Sequence, residues 1–74
     1  MSEDLTRRFE LARRSGDEAA LAHLFALAAE RETDLRAEAF MLTQAHTLAL
    51  SAGLAEAAGW RARLVLLGAE DAVG

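Results

Sequence analysis

A chain of 74 residues, of which 53% are hydrophobic, has room for one small domain, which we place at residues 1–74. Its formal net charge of −4 disfavours a phosphate-binding surface, so nucleic acid is not the expected partner. The absence of cysteine excludes disulfides, thiol catalysis and cysteine-bound zinc, and no apolar run approaches the ~20 residues of a membrane span.

The first half of the chain predicts two helices separated by a glycine. Apolar residues recur at Leu5, Phe9 and Ala12, which is one helical face, and predict a helix over about 3–15 that stops before Gly16. Asp17 is a favourable N-cap, and the apolar stripe that follows it predicts a second helix over about 18–31. The two helices together form a predicted hairpin.

A third helix is predicted over about 34–52, with Thr33 or Asp34 as its N-cap and Gly53 as its stop. Apolar residues occur on more than one of its faces, so we expect this helix at the centre of the structure. Its main apolar stripe comprises Leu35, Ala37, Phe40, Met41, Ala45, Leu48 and Ala52.

A fourth helix is predicted over about 54–67, with Gly59 in its interior and a frayed tail at 69–74. All connections between the four helices are short, which predicts antiparallel neighbours. The expected fold class is therefore all-α, with four helices arranged as two stacked antiparallel hairpins or as an irregular four-helix bundle.

The two predicted hairpins can be superposed at an offset of 37 residues, which places Gly16 on Gly53. Chance matches are common in a chain rich in alanine and leucine, so true repetition and coincidence both stay open. The pattern resembles tetratricopeptide-like helical hairpin repeats in the spacing of two sets of residues: Ala12, Gly16, Leu21, Phe25 and Ala28, and Ala49, Gly53, Ala58, Ala62 and Val65. The resemblance implies protein or peptide binding on a concave helical surface.

Catalytic and metal-binding patterns are absent from the sequence. The two histidines, His23 and His46, have only alanine or leucine four residues away on either side, so neither has a second zinc ligand on its helical face. The acidic residues lie at helix starts or four residues from an arginine, which is typical of solvated helix faces. We therefore expect no enzyme activity and no cofactor.

The fourth helix carries the predicted partner interface, because tryptophan and arginine are enriched at binding hot spots. The alternative is that Trp60 fills the core while Arg61 and Arg63 extend into solvent. The expected partner is another protein or a second copy of the chain, which would form a dimer, with no role for membranes. The predicted interface residues are Trp60, Arg61, Arg63, Leu64, Leu66 and Leu67.

The sequence thus predicts a small protein–protein interaction module, such as an adaptor, regulator or accessory subunit. The alternative function is a nucleic-acid-associated regulator that uses the arginine-rich first helix, with Arg7, Arg8, Arg13 and Arg14. The acidic start of the chain, where a secretory signal would be basic, predicts a cytoplasmic location. The absence of lysine, isoleucine, asparagine and tyrosine indicates GC-rich codons and a bacterial origin.

Overall fold

The computed structural model describes residues 3–68, and within that range all regular secondary structure is helical. Four helices follow one another: α1 Glu3–Ser15, α2 Glu18–Glu30, α3 Leu35–Ala52 and α4 Ala57–Leu66. The protein is therefore all-α with four helices, as the sequence predicted. The predicted tail at 69–74 lies outside the described residues.

Aspartate caps and left-handed glycines define most of the helix ends. Asp17 accepts a hydrogen bond from the backbone N–H of Ala20 at 3.0 Å, and Asp34 accepts one from that of Arg36 at 3.3 Å. Each carboxylate therefore satisfies a backbone donor that its own helix leaves unpaired. Gly16 and Gly53 follow α1 and α3 with φ of +67° and +71°, a conformation that costs other residues ~1–2 kcal/mol.

The two hairpin turns have the same hydrogen bonds at the 37-residue offset. After α1, the N–H of Gly16 bonds to the carbonyl of Arg13 at 3.2 Å and that of Asp17 to the carbonyl of Ala12 at 3.0 Å. After α3, Gly53 bonds to Leu50 at 3.3 Å and Leu54 to Ala49 at 2.8 Å. Local turn geometry therefore repeats in the two halves of the chain.

Each helix packs against the next one in the chain, and neighbours run antiparallel. Phe9 on α1 and Phe25 on α2 meet edge to face at 4.9 Å between ring centroids, within a cluster that also buries Leu5. A second cluster joins all of the last three helices through small residues: Ala22, Ala49 and Ala57. A third cluster joins the same helices through Ala29, Leu42 and Leu64. The core is thus made largely of alanine and leucine, with α2 and α3 at its centre.

The predicted apolar stripe of α3 is only partly correct. The side chains of Leu35 and Phe40 are 63% and 58% exposed, whereas Leu42, Ala45 and Ala49 are buried. Because α2 and α4 both contact the helix on the side of Leu42 and Ala49, that side becomes the core. Periodicity alone did not identify it, since apolar residues occur on several faces of this helix.

The predicted start of the fourth helix at about 54 is wrong, because α4 begins at Ala57. The N–H of Leu54 is used in the turn after α3, where it bonds back to Ala49. The chain therefore reverses direction over residues 53–56 before helical geometry resumes.

Candidate interaction surface

The inner face of α4 is fixed by residues that pack against α2 and α3. Ala57 and Leu64 are buried, and Trp60 contacts both of the clusters that join the last three helices. Leu67, immediately after the helix, is half-buried against the third cluster. The burial of this face orients α4 and determines which of its residues point outward.

The predicted interface residues are divided between the inside and the outside of the fold. Leu64 is 0% exposed, so its assignment to a partner interface is wrong; it fills the space between Ala29 and Leu42. Trp60 is half-buried inside the chain, which favours the alternative that this ring is mainly core. Leu66, at 78% exposed, is the predicted interface residue that extends furthest into solvent.

The outward side of α4 is apolar and open. Ala58, Ala62 and Leu66 follow one another at intervals of four residues, which is one stripe along a helix, and all three are exposed. A Cβ placed on the neighbouring Gly59 would meet nothing within 4 Å, so no part of the described chain covers this position. We call the set Ala58, Gly59, Ala62, Val65 and Leu66 the α4 outer face.

Positive charge flanks the α4 outer face. Arg61 lines the same shallow depression as Ala58, Ala62 and Leu66, and α4 itself contains no acidic residue. Arg63 donates a hydrogen bond from Nε to Oε2 of Glu38 on α3 at 3.0 Å, and its Nη2 lies 3.0 Å from the same oxygen in an ion pair. This pair fixes the Arg63 side chain toward α3, so its charge is already matched within the chain.

A second polar contact joins the start of α4 to α2. Nε2 of His23 lies 3.0 Å from Oε2 of Glu56, and Nδ1 lies 2.9 Å from the backbone carbonyl of Ala19. The ring also meets Trp60 edge to face, with 5.6 Å between centroids. The hydrogen bond that His23 donates to Glu56 is the main cause that raises the pKa of His23, and the hydrogen bond to the carbonyl of Ala19 adds to it.

Sequence reasoning missed both of these contacts. It treated the histidines as isolated because it examined neighbours four residues away, whereas Glu56 is 33 residues from His23. Glu38 is 25 residues from Arg63, and no local spacing connects them. The 37-residue offset matches α4 to α2 as equivalent helices, and it carries no information on which polar side chains meet between them.

The basic surface of α1 is exposed, as expected for a solvated helix face. Arg7, Arg8, Arg13 and Arg14 all lie on the outside, and Arg14 is 3.7 Å from Glu10. Arg8 also borders a groove between α1 and α2 whose apolar lining includes Leu11 and Leu27. Acidic neighbours therefore offset part of the positive charge on this helix.

Across residues 3–68, no group of three or more acidic, histidine or cysteine side chains is placed to hold a metal ion. None of the helices in the described range is both long and apolar enough to cross a membrane. Comparison with protein-family models, with curated proteins and with solved structures gives no significant match to this chain.

Proposed function

We propose that this protein is a protein–protein interaction module that binds a helix of its partner on the α4 outer face. The observation that carries the proposal is the exposure of an apolar stripe that ends in Leu66, which is 78% exposed. A tightly packed partner helix would remove this stripe from water, and apolar burial is the main driving force of association.

The hairpin offset supports a helix as the occupant. On α2, Ala22 packs with Ala49 and Ala29 packs with Leu42, so this side of α2 receives α3. The residues 37 positions later on α4 are Gly59 and Leu66, which are exposed. The α4 outer face thus corresponds to a surface that already binds a helix elsewhere in the same chain.

The exposed side of α1 is less suited to be the helix that packs on the α4 outer face. On α3, Ala45 lies one turn before Ala49 and is fully buried. The equivalent position on α1, 37 residues earlier, is occupied by Arg8. A second copy that stacked its α1 on α4 would bury this arginine without a matched carboxylate, which is costly. The partner helix is therefore either α4 of a second copy, related by a two-fold axis, or a helix of another protein.

Photo-crosslinking from the α4 outer face tests the proposal in the native cell. A photoreactive phenylalanine analogue would replace Ala62, and a matched control would carry it at Thr43, an exposed position on α3. We expect a discrete crosslinked product from position 62 that the control at position 43 does not give. A product of twice the 8.0 kDa chain mass would identify a second copy as the partner, and a product of any other mass would identify another protein. Equal or absent crosslinking at the two positions would reject the proposal.

Charge substitution provides a second test in the same cells. Leu66→Glu is expected to abolish the crosslinked complex while leaving helix content unchanged, because the side chain lies outside the core. Leu50→Glu is the matched control, since Leu50 is a similarly exposed leucine on α3. Loss of the complex in both variants would place the binding surface elsewhere.

The remaining elements of the proposal follow from the sequence. The arginine-rich α1 is not assigned a nucleic-acid role, since the whole chain carries a net charge of −4. A non-enzymatic role and a cytoplasmic, bacterial setting complete the proposal. The cysteine-free composition agrees with a reducing compartment.

A further inference from the structure

The two ring nitrogens of His23 both face groups that can only accept a hydrogen bond. Nδ1 lies 2.9 Å from the carbonyl oxygen of Ala19, one turn earlier on α2. Nε2 lies 3.0 Å from Oε2 of Glu56, just before α4. A neutral imidazole has one N–H, whereas the imidazolium has two, so only the charged ring donates to both partners when Glu56 is ionised.

Trp60 and several charged groups lie near the ring of His23. Trp60 meets it edge to face, at 5.6 Å between centroids with the planes at 81° to each other. Other charged groups near the ring are Arg8 from α1 and Asp17 from the N-cap of α2, which border the same groove. Glu56 is the carboxylate within hydrogen-bonding distance of the ring, and it is the charged group that acts directly on His23.

We propose that His23 is held as an imidazolium and acts as a proton-dependent clamp between α2 and the first turn of α4. Glu56 occupies the N-cap position of α4, but its side chain makes no capping hydrogen bond to that helix. Its carboxylate is directed to His23 instead. Loss of the proton leaves His23 with one N–H for two acceptors. It therefore removes one of the two hydrogen bonds and the positive charge opposite Glu56, and it weakens the polar link between the first turn of α4 and α2.

The pH range of the clamp follows from both partners. The hydrogen bond to Glu56 raises the pKa of His23 above its ordinary 6.5, so the stabilisation is complete below that value and is lost as pH rises through the raised pKa. The hydrogen bond from His23 lowers the pKa of Glu56 below its ordinary 4.5, so its contribution is lost as pH falls through the lowered value. The clamp is closed between these limits.

This inference is independent of the proposed partner surface, because it concerns only the attachment of α4 to α2. Its effect is local, since the burial of Ala57 and Leu64 holds the helix when the clamp opens. Amide protection factors, which correct exchange rates for their intrinsic dependence on pH, should therefore fall in residues 57–60 above the transition and stay unchanged in α2 and α3.

Fluorescence of Trp60, the single tryptophan, reports the clamp directly, because an imidazolium quenches a neighbouring indole. We would titrate the full chain from about pH 5 to about pH 9, where histidine is the side chain that ordinarily titrates. Wild type should brighten as pH rises, with a midpoint above 6.5. Nitrogen chemical shifts of His23, measured by NMR below the midpoint, should show both ring nitrogens protonated.

Three variants make the titration specific. Glu56→Gln should move the midpoint down toward 6.5, because it removes the charge opposite the ring. His23→Gln should abolish the transition, and His46→Gln, the matched control, should keep it. A wild-type midpoint at or below 6.5, or an unchanged midpoint in Glu56→Gln, would overturn the proposal; circular dichroism confirms that each variant is folded.

Discussion

Arg63 and Glu38 connect the last two helices through a single carboxylate oxygen, which accepts a hydrogen bond from Nε of the guanidinium at 3.0 Å and lies 3.0 Å from Nη2. The carboxylate side chain is only 14% exposed, whereas the arginine is about half exposed. Because the acid is the more buried partner, removal of the arginine should cost more than removal of the acid.

A double-mutant cycle tests this asymmetry. Arg63→Met should destabilise the fold more than Glu38→Gln, and the double variant should recover part of the loss, with a coupling of about 0.5–1 kcal/mol. The measurement is the free energy of unfolding from urea denaturation. Strictly additive losses would show that the pair contributes nothing to the attachment of α4.

Leu64 and Leu66 provide a direct comparison of the two sides of α4. Leu64→Ala should cost ~2–5 kcal/mol because it opens a cavity between three helices. Leu66→Ala should stay within about 0.5 kcal/mol, since its side chain is 78% exposed. Thermal and urea unfolding would measure both. Similar losses in the two variants would mean that α4 is oriented differently.

Leu48→Ala extends this comparison to α3. From the sequence we expected Leu48 in the main apolar stripe; its side chain is half-buried and packs against the second cluster, with Ala22 and Ala49. The loss should therefore fall below that of Leu64→Ala and near the lower end of the ~2–5 kcal/mol range. A larger loss of stability in Leu48→Ala than in Leu64→Ala would show that packing around Leu48 on α3 stabilises the fold more than packing at the junction with α4.

Gly59→Ala separates folding from binding. Its new methyl group meets nothing within 4 Å, and alanine is favoured over glycine inside a helix, so stability should rise by ~0.5–1 kcal/mol. Complex formation through the α4 outer face should weaken at the same time, because a close partner helix would meet the methyl group. Gly53→Ala, at a φ of +71°, is the contrasting control and should destabilise the chain. An increase in binding by Gly59→Ala would argue against close helix packing at this position.

A gel-shift assay with duplex DNA tests the alternative function. At physiological salt we expect no shift below micromolar protein, because the net charge of −4 opposes binding to phosphates. A shift that survives competitor DNA, and that is lost when Arg7 and Arg8 are replaced by glutamine, would instead support a nucleic-acid role for α1.

The sequence was most informative where a structural feature depends on local chemistry. Asp17 caps α2 as predicted, and Asp34, one of the two predicted alternatives with Thr33, caps α3. Gly16 and Gly53 follow the ends of α1 and α3, because capping and left-handed turns involve residues close in the chain. The four-helix, all-α class followed from these signals and from the apolar periodicity.

Features that depend on distant residues could not be predicted in the same way. The buried side of α3 is determined by where α2 and α4 pack, so Phe40 was expected inside and is exposed. The partners of His23 and Arg63 are 33 and 25 residues away, beyond any helical spacing rule. Leu64 was assigned to a partner surface because its helix is apolar around most of its circumference, and only the packing distinguishes its inner side.

The packing of each helix on its predecessor in the chain has a consequence for how the protein folds. Contacts between neighbours in sequence require little loop closure, so we expect fast folding with low contact order. During synthesis, α1 and α2 can pair as soon as they emerge, and α3 can add to α2 before α4 exists. Until α4 docks, Leu64 does not cover Ala29 and Leu42, so an apolar surface stays exposed to water on the growing chain.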